Sequence, residues 1–165
     1  MERRELIKIA GAAVLATRVA QAAPRFFTPE EFALADELAE MIIPSDEHSP
    51  GARAAGVAAY IDARLAESLE PEQGQTWRDG LKLVDGLSVQ LNGKPFLKAS
   101  DRQRVKVLDK MAKNEEHPKS PEEVFFHELK RRTVGAYYTS EIGIHREMNY
   151  KGNVPINEFV GYEVK

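Results

Sequence analysis

The sequence predicts an all-α protein, a bundle of about five helices closed by an irregular tail, and three observations predict it. Thr28-Pro29-Glu30-Glu31 and Ser120-Pro121-Glu122-Glu123 carry the same helix-start signature. Each has a hydroxyl to cap free amides, proline at the first helical position, and a glutamate that closes a capping box. Behind these starts apolar residues recur every three or four positions, the period of a helix with one buried face. No stretch alternates with the period of two that a half-buried strand requires.

The first 22 residues stand apart from the bundle. They begin MERRELIKIAGAAVLATRVAQA, with a basic head of Arg3, Arg4 and Lys8. Residues 9–17 are apolar and rich in alanine, ending at Arg18, well short of the roughly 20 residues that cross a bilayer. Ala20 and Ala22 then form the small-x-small pattern of a cleavage site. Arg3-Arg4 with Leu6 and Lys8 behind them resembles the twin-arginine export consensus, Leu6 standing where phenylalanine is common. A basic helix retained on the protein would leave the cleavage pattern unexplained. A general secretory signal agrees less well with Lys8 and the weak apolar run. The expectation is a periplasmic protein exported by the twin-arginine route, which carries folded cargo, with a mature body beginning at residue 23.

The helices follow in order. The first runs from Thr28 with Phe32, Ala35, Leu38, Ala39 and Ile42 inward, and Pro44 ends it; Phe27 precedes the cap as a candidate staple. Residues 44–51, PSDEHSPG, are dense in turn formers. A second helix is expected over residues 54–69 with Val57, Tyr60, Ile61, Leu65 and Leu69 on one side. A third starts near Pro71-Glu72, carries Trp77, Leu81, Leu83, Val84, Leu87 and Leu91, and stops at Asn92-Gly93. Ser100-Asp101 caps a fourth with Val105, Leu108 and Met111 inward, and residues 115–119 form a polar linker. The fifth carries Val124, Phe125, Leu129, Thr133 and Tyr137. Residues 23–138 therefore make one bundle domain, and residues 139–165 a Gly-punctuated, Tyr-rich tail that packs on the bundle or on a partner.

Composition narrows the chemistry. Without residues 1–22 the formal charge moves from −3 to −5, which argues against nucleic acid or an anionic membrane as the main partner. The chain has no cysteine, which excludes a disulfide framework, a thiolate metal site, an iron–sulfur cluster and haem attached through C-x-x-C-H. His48, His117, His127 and His145 lie in four different segments. His127-Glu128 lacks the second histidine of H-E-x-x-H, and no serine sits in a nucleophile-elbow context. Trp77-Arg78-Asp79-Gly80 opens an apolar helical face, where a tryptophan is usually core. No catalytic, cofactor-binding or metal residue is assigned. Asp46-Glu47-His48 could take a cation through oxygens, although it lacks the alternating ligands of a calcium loop. That leaves a stand-alone exported small-ligand or metal-binding helical domain as the alternative, and a solvated turn as the simpler reading. An enzyme with a carboxylate pair in a bundle cleft is a further rival.

The tail holds the candidate interface. Tyr137, Tyr138, Tyr150, Phe159 and Tyr162 lie in or beside it, and tyrosine combines large contact area with a hydrogen-bonding tip.

Several motifs in order resemble the small subunit, subunit 3, of the gluconate 2-dehydrogenase family. They are the Arg3-Arg4 signal, Phe27-Thr28-Pro29-Glu30-Glu31, and Ile43-Pro44-Ser45-Asp46 leading to Pro50-Gly51-Ala52. Ala55-Gly56-Val57, Tyr60-Ile61-Asp62, Trp77-Arg78-Asp79-Gly80-Leu81, Phe125-Phe126, TVGAYYTS from Thr133, and Tyr150-Lys151-Gly152-Asn153 continue the series. One departure is that Tyr162 stands after Phe159-Val160-Gly161 where related tails often have cysteine. The resemblance implies a non-catalytic subunit that binds, stabilises and co-exports a large FAD-dependent partner. That partner would be a glucose–methanol–choline-type dehydrogenase of sugars, sugar acids or polyols. It implies no cofactor in this chain, FAD on the partner, and in many complexes haem c on a third, cytochrome c subunit. Arg3 and Arg4 would engage the twin-arginine machinery for both proteins.

Overall fold

The computed structural model describes residues 23–153. Five α-helices account for most of them: α1 (Pro29–Ile42), α2 (Val57–Ala66), α3 (Pro71–Asn92), α4 (Asp101–Met111) and α5 (Pro121–Tyr138). A 3-10 turn (Phe96–Lys98) leads into α4, and a π-helical turn (Gly143–Glu147) follows α5. Among the described residues there is no strand, so the fold is all-α. The leader residues Arg3, Arg4, Leu6, Lys8, Ala20 and Ala22, and the tail residues Phe159 and Tyr162, lie outside the described residues.

The helix starts obey the capping chemistry that the sequence announces. Thr28 Oγ1 accepts from the Glu31 amide at 3.2 Å, and the Glu31 carboxylate accepts from the Thr28 amide at 2.9 Å. Ser120 and Glu123 repeat the exchange at α5, and Gln103 Oε1 accepts from the Ser100 amide before α4. Gly93 ends α3 in the left-handed conformation, φ 71°, which glycine adopts without strain. Helix α2 is shorter than expected at both ends. Gly56 is left-handed at φ 70°, which breaks the helix before Val57, and Pro71 forces Glu70 into an extended conformation (φ −106°, ψ 97°).

Helix α5 is the hub, packing against α1, α2, α3 and α4. Phe125, Phe126, Leu129, Thr133, Ala136 and Tyr137 are its buried face. Trp77 sits across from it, 1% exposed, with Phe125 edge-on at 5.5 Å and Phe27 at 6.0 Å between ring centroids. The WRDG motif is thus packing: Gly80 is bare because a Cβ there would lie 2.0 Å from the Phe125 ring.

Several residues expected inward face out. In α4 the buried pair is Val107 and Met111, while Val105 is exposed. The helix is rolled because Arg104 is held over the 3-10 turn, donating to the Phe96 and Leu97 carbonyls and to Glu37. Val124 is exposed while Phe126 goes inside, and Tyr60, Leu69 and Leu91 also face out. Leu69 falls outside α2, where helical spacing no longer applies.

The polar linker before α5 closes on Glu123, whose carboxylate accepts from the amides of Lys119 (2.7 Å) and Ser120 (3.1 Å) and from Asn114 Nδ2 (2.6 Å). The Lys119 amide, then the Ser120 amide, hold its pKa below the ordinary carboxylate value, outweighing the opposing effect of burial. A carboxyl with a lowered folded pKa stabilises the fold above its unfolded value, and the contribution is lost as pH falls through the folded value. Glu123→Gln should therefore lower the urea midpoint at neutral pH, and the gap to wild type should narrow as pH falls below the ordinary glutamate value. A gap that does not change with pH would contradict this.

Candidate functional site

At one end of the bundle α5 finishes at Tyr138, and a series of tight turns follows. Thr139 Oγ1 turns back to the Gly135 carbonyl at 2.8 Å. Ser140 Oγ donates to the Tyr137 carbonyl at 2.6 Å and accepts from the Gly143 amide at 3.0 Å. The chain then doubles over the helix end so closely that a Cβ at Gly143 would meet the Tyr137 carbonyl oxygen at 2.1 Å. The wider π turn follows, closed by the Met148 amide on the Gly143 carbonyl at 3.0 Å. The start of the tail, expected to be irregular, is helical because glycine at 143 permits that approach. Asn149 is left-handed at φ 49°, and Tyr150 is pinned by its amide on the Ile144 carbonyl and its hydroxyl on Asn153 Oδ1 at 2.5 Å.

The tyrosines named from sequence separate here. Tyr138 and Tyr150 are 39% and 46% exposed, and Met148 is exposed as well. Tyr137 is 1% exposed and belongs to the core rather than to an outer surface. Its hydroxyl lies 2.8 Å from the Pro50 carbonyl, to which it donates, and 2.8 Å from Ser49 Oγ. Its ring meets Tyr138 edge-on at 5.3 Å. Tyr137 therefore ties the PSDEHSPG loop to the end of α5, joining two motifs 87 residues apart. Tyr137→Phe leaves the Pro50 carbonyl and Ser49 without that partner and should cost about 1–3 kcal/mol. Urea unfolding of the two proteins measures it.

The acidic loop itself is occupied by its own backbone. Asp46 Oδ1 accepts from the His48 and Ser49 amides, both at 2.8 Å, and these bonds, Ser49 first, hold its pKa low. Gly51 passes so near Ser45 that a Cβ would be 2.5 Å from the Ser45 amide nitrogen. Among the described residues no group of three or more His, Cys, Asp or Glu side chains is placed to hold a metal ion. A broad polar groove of about 840 Å³ brings His117 and His127 alongside Glu115 and Glu116. No helix of the described residues is long and apolar enough to cross a membrane.

Two contributors went unassigned in the sequence. Asp62, 3% exposed in α2, accepts from three successive amides, those of Arg25, Phe26 and Phe27. Arg78 stacks over the Phe26 ring, 4.5 Å from its centroid, and donates to the Phe26 carbonyl and to Glu31. Their position within family motifs was the only signal, because the partners lie 35 or more residues away in sequence.

Fold and surface define a small helical bundle whose recurring motifs serve packing and loop anchoring, with aromatic side chains exposed at one end. A family model described as gluconate 2-dehydrogenase subunit 3 matches residues 29–157, and the chain belongs to that family. Membership places it among the subunits of dehydrogenase complexes. No curated protein and no solved structure matches the chain.

Proposed function

We propose that the chain is the non-catalytic small subunit of an exported sugar, sugar-acid or polyol dehydrogenase, binding and stabilising a large FAD-dependent subunit and carrying it out of the cytoplasm. The observation that carries this is the family match over residues 29–157. The leader adds to it: Arg3, Arg4, Leu6 and Lys8 would address the twin-arginine route, and that route suits a chain exported with a folded partner. Flavin chemistry would reside on the large subunit, with haem c on a cytochrome c subunit where one is present. Tyr138 and Tyr150, both exposed, together with Phe159 and Tyr162 are the proposed contact residues. Tyr137 drops out of that surface because its hydroxyl serves the bundle.

The test is capture through a C-terminal tag from the native host. A yellow large subunit carrying FAD should co-purify, and Tyr138→Ala with Tyr150→Ala should weaken its retention while circular dichroism shows the bundle still folded. Retention equal to wild type would remove these tyrosines from the interface. A tagged chain recovered without any flavoprotein would refute the subunit role.

A further inference from the structure

The junction between the leader and the body is fixed more firmly than a linker needs. Asp62 Oδ2 accepts from the Arg25 amide at 2.6 Å, and Oδ1 accepts from the Phe26 and Phe27 amides at 3.0 and 2.8 Å. Each of the three residues is also held by its side chain. Arg25 pairs with Glu67 at 2.8 Å. Phe26 lies beneath the Arg78 guanidinium with its ring against bare Gly74, where a Cβ would be 2.8 Å away. Phe27 is buried beside Trp77. The backbone here bends around a carboxylate that only the folded bundle can supply.

Only Ala23 and Pro24 separate Arg25 from Ala22, the last residue of the leader. At roughly 3.5 Å per extended residue, the Ala23 amide is at most about 7 Å of chain from the first anchored amide. A peptidase takes its substrate as an extended strand, using main-chain hydrogen bonds on both sides of the bond it cuts. On the body side that strand runs through Pro24, already half-buried, to Arg25, whose amide Asp62 holds. The bend around Asp62 and the extended strand exclude each other.

Resting on the reading of residues 1–22 as a cleavable leader, we infer that Asp62 is a lock on this junction: the folded bundle protects its own Ala22–Ala23 bond, and leader removal requires the residue 25–27 hook to open. Loss of the leader is thereby coupled to a local opening of the folded chain.

The experiment is cleavage of the purified full-length chain by a bacterial leader peptidase, followed by mass spectrometry, beside a synthetic peptide of residues 12–30. The folded wild type should be cut far more slowly than the peptide. Asp62→Asn keeps an oxygen for Phe26 and Phe27 but turns an amide donor toward Arg25. It should be cut roughly tenfold faster than wild type, the worth of a hydrogen bond to a charged group. Gly74→Ala displaces the Phe26 ring while improving helix propensity. It should also speed cutting, and its urea midpoint is measured beside it: faster cutting without a matching fall in midpoint separates opening of the hook from global unfolding, so the result stands even if Asp62→Asn fails to fold. A folded wild type cut at the peptide's rate, or a Gly74→Ala chain cut no faster than wild type, overturns the lock. A peptide not cut at Ala22–Ala23 overturns the leader reading and the lock together; a cut peptide with an unprotected folded chain overturns the lock alone.

Discussion

Trp77→Ala should cost the bundle about 3–5 kcal/mol, the largest loss expected from a single side chain here. Domains of this size are typically stable by roughly 5–15 kcal/mol, so much of the urea resistance would disappear. The reason is position. Trp77 is buried between Phe27, from the segment before α1, and Phe125 of the hub helix, so its loss opens a cavity that three elements share. Its Nε1 has no hydrogen-bond partner among the described residues, so the loss is one of packing. Trp77→Phe should accordingly cost only a minor part of the alanine figure. Because Trp77 is the chain's single tryptophan, the transitions should be followed by far-ultraviolet circular dichroism rather than fluorescence. Near-equal losses for the two variants would show that an unseen polar contact matters more than packing.

Gly80→Ala should also destabilise, against what helix propensity alone requires. Alanine in place of glycine inside a helix is worth about 1 kcal/mol of stabilisation. Against this, the new methyl would lie 2.0–2.4 Å from three carbons of the Phe125 ring, and Phe125 is held by Trp77 and cannot swing away freely. Overpacking of this kind costs about 1–3 kcal/mol, so a net loss is expected. Gly86, in the same helix, has open space where its Cβ would be, and Gly86→Ala should stabilise by up to about 1 kcal/mol. The pair separates propensity from packing by sign. In a Phe125→Leu background the Gly80→Ala penalty should shrink; if it persists unchanged, the clash is not with that ring.

The same residues show what could be read from the sequence and what could not. Thr28 with Glu31, Ser120 with Glu123, and Gly93 act within a few residues of themselves, and their roles follow from local chemistry. Tyr137 and Tyr138 are adjacent on a helix, about 100° apart, and composition does not choose which turns inward. The choice is made by the Pro50 carbonyl and Ser49, brought by a loop far away in sequence. Val105 and Val107 pose the same ambiguity, settled by Arg104 reaching the 3-10 turn. Asp62 reads as an ordinary polar position on α2 until folding delivers three amides to it. The helical turn at Gly143 depends on a backbone approach to Tyr137 that no periodicity encodes. Local signals thus set the helices, while the exposed tyrosine pair and the leader junction emerge from tertiary contacts.

The proposed carrier role requires one leader to serve two proteins. The direct measurement is fractionation of the native host carrying Arg3→Lys with Arg4→Lys in this chain, with the flavoprotein partner identified by capture and both proteins quantified in cytoplasm and periplasm. Both should accumulate in the cytoplasm, still bound to each other. A partner that reaches the periplasm in normal amount while this chain stays behind would contradict it.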